Sequence, residues 1–296
     1  MRGPAGRLGR ALADPAAAAA RTRVRLRQLR LLARNRFSRR PVTGDAPVVV
    51  DLTSFGRRIG TVHHTIESIA AGSVRPRRLI LWLDDTGAVA APPVALRRLQ
   101  RRGLEILVCP DLGPHKKQYP YALLDERPAV PLVTADDDVL YPRSWLAELL
   151  AAHREHPGVI TGYRAHRVVL CDGAIAPYAQ WRPCTSAEPS FTTFCTGVSG
   201  VLYPPAALAA LRAEGEEFLR AAPRADDVWV HAVAVRHGIR SRQVAPRQAE
   251  FTAVPGTQVG TLYRHNVKEN GNDVQIAASY GAAALARLQE DDGHGR

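Results

Sequence analysis

Apolar residues along this chain come in short β-branched or leucine-rich runs, each closed by polar residues and followed by a segment of helical period. Val48 to Leu52 is the first such run, and it ends in Thr53-Ser54-Phe55-Gly56. Behind it Val62, Ile66 and Ile69 share one helical face, which leaves His63 and Glu67 expected to point outward. Arg78 to Leu83 reads as a second buried strand ending in Asp84-Asp85. A helix from Pro93 to Arg102 then leads to a third strand, Leu104 to Val108. The loop from Cys109 to Pro120 carries Lys116-Lys117, and a short helix precedes a fourth strand over 130–135. Trp145 to Glu155 is the next helix, stopped by Pro157-Gly158. Strands alternating with helices of this length predict a mostly parallel, doubly wound α/β sheet with helices on both faces.

The fourth strand ends in Asp136-Asp137-Asp138. Three adjacent carboxylates repel and cannot be buried unpaired. A divalent cation held by carboxylate oxygens would offset them, and a solvated acidic turn capping the next helix is the other reading. In doubly wound sheets ligands sit at the carboxyl ends of strands, near the point where strand order reverses. Thr53-Ser54, Asp84-Asp85, the Lys116-Lys117 loop and the triplet all lie just past strand ends, and that convergence favours the cation.

From Val159 the pattern changes. Two short strands with a basic turn (Arg164, His166, Arg167) run to Leu170, followed by a loop bearing Tyr178 and Trp181. Those two rings suit either a sugar face or the core. Next come Phe194 to Pro205, with Gly197 and Gly200, and the helices Ala206 to Arg212 and Glu216 to Ala221. Asp226-Asp227 opens a further helix that ends at His237-Gly238. Residues 291–296 read as a frayed tail. The expected organisation is a basic arm over 1–40 and one domain over 41–290. That domain divides into a nucleotide-binding half (47–157) and an acceptor-binding half (158–290).

Charge sharpens this division. The formal net charge is +12, but residues 1–40 hold 12 Arg against Asp14 alone, leaving the other 256 residues almost neutral. A neutral body argues against nucleic-acid binding. From Thr22 to Phe37 a helix is expected, with Arg23, Arg27, Arg30 and Arg34 on one face. Such an arm either lies on an anionic membrane surface, at ~1 kcal/mol per basic side chain near the headgroups, or stays a disordered tail. No segment reaches the ~18–20 apolar residues of a spanning helix. The cysteines Cys109, Cys171, Cys184 and Cys195 have no C-x-x-C spacing and read as reduced thiols of a cytoplasmic protein, with a single disulfide as the alternative.

The segments VVVDLTSFGRRI (48–59), LILWLD (79–84), TADDDVLYPRSW (134–145), TGVSGVLYPP (196–205) and ADDVW (225–229) together resemble the GT-A-type glycosyltransferases of the broad family-two kind. They lie within residues 47–238. The resemblance implies a metal-dependent transfer of a hexose from a nucleotide diphosphate sugar, a UDP-sugar by expectation, to a glycan or lipid-linked acceptor. Without the Q-x-x-R-W motif of processive synthases or a membrane span the chain is expected to add one sugar at a time, a candidate base favours inversion, and the basic arm favours a peripheral place on the inner face of the membrane, in cell-envelope polysaccharide synthesis. On this pattern Asp136 and Asp138 match the D-x-D pair that holds Mn²⁺ or Mg²⁺, and Asp137 is an extra carboxylate or a ribose contact. Thr53, Ser54 and Asp84 match base and ribose contacts. Gly197, Gly200 and Trp229 fall on the acceptor side. Asp227 corresponds to the base that takes the acceptor proton, with Asp226 as its orienting partner. Asp226-Asp227 also suits an ordinary helix cap.

Two further expectations concern single residues. In a chain with only three Lys among 40 basic residues, adjacent Lys116 and Lys117 point to a phosphate contact. His265 is a candidate for the C-terminal histidine that GT-A enzymes sometimes add to the metal, although nothing at its spacing marks it. Two rival readings remain. A haloacid-dehalogenase-type phosphatase would use Asp136 as a covalent nucleophile, and a non-catalytic sugar-binding module would bind without turnover.

Overall fold

The computed structural model describes residues 15–124, 128–257 and 271–293. The chain enters through helix α1 (Pro15–Phe37) and then strand β1 (Ala46–Thr53). Helix α2 (His63–Ala70), strand β2 (Pro76–Leu83), helices α3 (Thr86–Ala90) and α4 (Val94–Gln100) and strand β3 (Leu104–Val108) follow. Helix α5 (Tyr119–Leu124) precedes β4 (Leu132–Ala135), the two-residue β5 (Val139–Leu140) and helix α6 (Trp145–Glu155). Five short strands come next: β6 (Ile160–Gly162), β7 (Ala165–Arg167), β8 (Leu170–Cys171), β9 (Ala174–Ile175) and β10 (Arg182–Pro183). After β11 (Thr193–Cys195) and β12 (Val201–Tyr203) come helices α7 (Pro205–Ala213), α8 (Phe218–Ala221) and α9 (Asp226–Arg236). Strands β13 (Ser241–Gln243) and β14 (Thr252–Ala253) and helices α10 (Gly271–Ser279) and α11 (Ala282–Gly293) complete the described chain.

Seven strands form one sheet in the order β13-β6-β12-β4-β1-β2-β3. It is mostly parallel; β12 alone runs against its neighbours β4 and β6. Both sequence halves contribute to this sheet. Strands β1 to β3 step outward in order, and β4 returns to the other side of β1. The strand order therefore reverses between β1 and β4, so Ser54 and the Asp triplet lie at the switch point where such folds open a crevice.

β1 reads as an almost unbroken apolar run because both its faces are covered. Val48, Val50 and Leu52 pack with Leu79, Leu81 and Leu83 beneath α2, α4 and α6. Val49 joins Ile80 and Trp82 on the opposite face, where α7 and α9 pack. Asp51 shares that second face by strand alternation. Its carboxylate is wholly buried and accepts a hydrogen bond from Trp82 Nε1 at 2.9 Å.

Three expectations change here. Glu67 and His63 are not outward: both are buried. α1 covers that face of α2, and Glu67 is clasped by Arg102 (Nη2 at 3.1 Å) and Arg34 (Nε at 3.2 Å), with Asn35 Nδ2 at 3.3 Å. Residues 15–37 are therefore not a free arm. Leu31 packs with Leu140 and Val254, and Arg27 donates to the carbonyl of Tyr141. Nor does the chain fray at Asp291, which lies within α11. Its carboxylate accepts from the Phe191 N–H at 2.8 Å and from the Ser190 hydroxyl. All four cysteines are free thiols.

Glu67 makes the docking of α1 testable. Glu67→Ala would leave Arg102 buried and unpaired, a situation that costs about 3–5 kcal/mol. Denaturant unfolding of the full chain should show a loss of that size, far above the effect of an exposed substitution on α1.

Candidate active site

Four segments bring the site together at the switch point. The turn after β4 carries the Asp triplet, and the 3-10 turn Gly56–Gly60 after β1 presents Arg58. A second 3-10 turn, Gly113–Lys117, brings in both lysines, and the start of α9 brings Asp226 and Asp227.

Each carboxylate of the triplet is held differently. Asp136 takes Lys117 Nζ at 2.8 Å on one oxygen and the Ser199 N–H at 3.1 Å on the other. Its own N–H donates to the Tyr141 hydroxyl at 2.8 Å. Asp137 accepts from the Ser54 hydroxyl at 2.6 Å and Arg58 Nη1 at 3.0 Å, while its carbonyl takes the Thr65 hydroxyl at 2.9 Å. Asp138 lies 3.6 Å from the same Arg58 nitrogen. Burial, and then the repulsion of Asp137 and Asp136, raises the Asp138 pKa despite Arg58.

Lys117 is the centre of this arrangement. Its ammonium feels Asp136, Asp226 and Asp137, which together hold its pKa above the usual lysine value against desolvation. It in turn favours ionisation of Asp51, Asp138 and Asp227. Gly197 lies against it: a Cβ there would sit 3.5 Å from Nζ.

Lys116 points elsewhere. It is buried between Asp84 and Asp111, with the Asp111 carboxylate at 2.8 Å. The two lysines expected to share a phosphate role thus divide: Lys116 ties the ends of β2 and β3 together through Asp84 and Asp111, and Lys117 alone enters the carboxylate cluster. Thr53 donates to the Trp82 carbonyl at 3.1 Å, a strand-end bond within the sheet.

Asp226 and Asp227 begin α9 with no capping side chain ahead of them, since Ala225 holds the N-cap position. Gln118 Nε2 lies 3.4 Å from Asp226, and Asp227 accepts from the Val228 N–H at 2.9 Å. Crowding by protein atoms, and then the Asp226 charge, lifts the Asp227 pKa to about 7, with Lys117 pulling the other way. Such a group can accept a proton near neutrality.

The remaining expected residues have structural work. Gly200 has φ +101°, and a Cβ there would meet the Trp145 ring at 2.8 Å. Trp145 Nε1 in turn donates to the Ser199 carbonyl at 2.9 Å, which sets the loop that offers its N–H to Asp136. Trp229 is buried under Arg236, whose guanidinium carbon lies 5.1 Å from the ring centroid, so it packs in the core. Trp181 is also core, donating to the Ala176 carbonyl at 2.9 Å, with Tyr178 against it. His265 lies outside the described residues.

Arg58, Ser199, Thr65 and Tyr141 were not singled out by sequence. Arg58 sits inside the VVVDLTSFGRRI segment, and an Arg two residues past a strand-end Gly was the one available signal. Among the described residues no three His, Cys, Asp or Glu side chains are grouped to hold a metal. Asp136 and Asp138 nonetheless suit a hard cation that takes its other ligands from a diphosphate. They offer only oxygen, and a cation there would offset both the burial and the neighbouring carboxylates that raise the Asp138 pKa.

The architecture is similar to that of solved GT-A-type glycosyltransferases. One is the mannosyltransferase PcManGT from Pyrobaculum calidifontis, in complex with GDP-Man and Mn²⁺. It has a TM-score of 0.49 and 14% identity, covering 94% of this chain and 79% of that one. S. aureus TarS 1-349 with UDP has a TM-score of 0.46 and 12% identity, covering 82% of this chain and 70% of that one. GalNAc-T7 with UDP, GalNAc and Mn²⁺ has a TM-score of 0.45 and 12% identity over 72% of this chain, which spans 45% of that structure's length. No protein-family model and no curated protein sequence matches the chain.

The site's electrostatics predict opposite shifts for two substitutions. Asp226→Asn removes the like charge beside Asp227, so Asp227 should titrate below its wild-type value of about 7. Lys117→Met removes the opposing cation, so Asp227 should titrate higher. Carboxyl-carbon NMR titration reads both shifts directly, and shifts of the same sign would contradict the shared field.

Proposed function

We propose that this protein is a metal-dependent hexosyltransferase that moves a sugar from a nucleotide diphosphate sugar, UDP-linked in our reading, to a hydroxyl of a glycan or lipid-linked acceptor. The observation that carries this reading is the division of labour around Lys117. On one side both oxygens of Asp136 are engaged by Lys117 and the Ser199 N–H, and on the other the Asp227 pKa is raised to about 7, as suits a proton acceptor. Leaving-group binding and proton transfer need such separate carboxylates.

Asp136 and Asp138 would hold Mn²⁺ or Mg²⁺ against the diphosphate, where the ion supplies Lewis-acid charge. Lys117 and Arg58 already neutralise the triplet in part, and both can turn toward phosphate oxygens as a donor enters. Ser54 and Asp137 meet at the end of β1, where the ribose would lie, with Thr53 closing β1 and Asp84 at the end of neighbouring β2. Asp227 takes the proton of the acceptor hydroxyl as its oxygen bonds the anomeric carbon. The bond from that carbon to phosphate oxygen breaks, and its electron pair leaves with the diphosphate. Attack from the side opposite the leaving group inverts the anomeric centre, one sugar per encounter. The net charge of +11 in residues 1–40 supports work at the cytoplasmic face of the membrane, on cell-envelope polysaccharide.

Release of nucleoside diphosphate from a panel of nucleotide sugars tests the reading. Turnover should require Mn²⁺ or Mg²⁺ and stop with EDTA. Failure of every donor across varied acceptors would leave only a binding module. Asp227→Asn should lose at least about 100-fold in transfer while donor binding, followed by calorimetry, persists. Wild-type transfer should rise with pH through about 7 as Asp227 ionises. The same raised pKa favours the folded state below the unfolded carboxylate's titration and loses that contribution as pH rises to about 7. Asp227→Asn should therefore be more stable than wild type at pH above 7 and lose that advantage in acid.

A further inference from the structure

The inner face of α1 is spent on the protein. Val24, Arg27, Leu31, Arg34 and Asn35 recur at helical spacing and meet α2, α4 and the β5–β14 pair. The opposite face carries Leu26, Leu29, Ala33 and Phe37, again at helical spacing, and all four are exposed. Leu29 is 61% and Phe37 74% accessible, which is unusual for side chains of that size on a helix already docked to a body. Arg23 and Arg30 flank this stripe on one side and Arg25 and Arg36 on the other, all exposed. From Pro15 to Gly44 the sequence contains no acid, and among the described residues no carboxylate pairs with these four arginines. Arg27 and Arg34, which sequence spacing groups with Arg23 and Arg30, instead face the protein.

We propose that the outer face of α1 lies flat on an anionic lipid bilayer. Leu26, Leu29 and Phe37 sink to the acyl boundary, and Arg23, Arg25, Arg30 and Arg36 reach lipid phosphates on both sides. An apolar stripe bordered by arginines along both edges is the geometry of an interfacial helix. Charge complementarity selects the occupant, because an all-arginine rim repels a second copy of itself and attracts phosphate. The helix is then held between membrane and enzyme. Arg27 fixes the Tyr141 carbonyl, and the Tyr141 hydroxyl receives the Asp136 N–H, so the inner face of the same helix is two contacts from the triplet. This deepens the transferase reading by placing the site beside a lipid-linked acceptor, but the lipid contact itself does not depend on turnover.

Flotation of the full-length protein with phosphatidylcholine vesicles, with and without phosphatidylglycerol, tests it. Wild type should float with phosphatidylglycerol vesicles and stay behind with phosphatidylcholine alone, losing binding in high salt. Leu29→Asp/Phe37→Asp should weaken binding at least about tenfold. Arg23→Gln/Arg30→Gln/Arg36→Gln should weaken it about 100-fold. The melting temperature and donor hydrolysis should not change, since none of these side chains meets the core or the site. Failure of wild type to float, or flotation of the variants like wild type, would overturn the proposal. So would a dimer, seen by sedimentation, that Leu29→Asp/Phe37→Asp converts to monomer without any lipid binding. Loss of donor hydrolysis with vesicle binding intact would count against the transferase reading alone.

Discussion

The site depends on one ammonium among too many carboxylates. Asp136, Asp137, Asp138, Asp226 and Asp227 approach one another at the end of the sheet, and Asp51 lies buried beneath them on β1. Repulsion on this scale would push the strand ends apart if nothing intervened. Lys117 intervenes from a tight 3-10 turn that packs over β1, and Arg58 does the same from the turn after that strand. Neither satisfies the whole cluster. What remains is a graded field in which both oxygens of Asp136 are engaged, burial raises the Asp138 pKa despite Arg58, and Asp227 holds its proton to near neutrality. The gradient gives one small cleft both an anchor for a leaving group and a base.

The first helix extends that logic outward. α1 is integral to the domain because Glu67, wholly buried on α2, takes cations from α1 and from the end of α4 at once. A carboxylate so enclosed cannot be solvated, so the arginines that meet it are fixed in place, and α1 with them. The same helix steadies Tyr141 and, through it, the first residue of the triplet.

Much of this was legible in the sequence, and the reasons are local. Strands β1 to β4 announce themselves as apolar runs stopped by polar residues, and the bounds of α6 and α9 follow from their stop signals. The triplet and Asp226-Asp227 stand out because like charges in sequence are neighbours in space whatever the fold. What could not be read was partnership across distance. Glu67 looks like a solvent-facing residue of α2 until α1 covers it. Lys116 and Lys117 are indistinguishable as a pair, yet a single residue's rotation in the turn sends one to Asp84 and the other to Asp136. Ser199 contributes only a backbone N–H, which no side-chain pattern can mark. Trp229 follows two acids in the sequence, but the helix turns its ring inward beneath Arg236.

The contact of Gly200 with Trp145 bears on how such a chain can diverge. Any side chain at 200 collides with the indole, and a smaller residue at 145 would make room without removing the strain of a φ of +101°. That smaller residue would give up the donor to the Ser199 carbonyl and loosen the loop that meets Asp136. The two positions are therefore held together, since a change at either one slackens the cleft. In related chains they should be kept together, and a departure at either would mark a lineage in which the loop no longer serves the triplet.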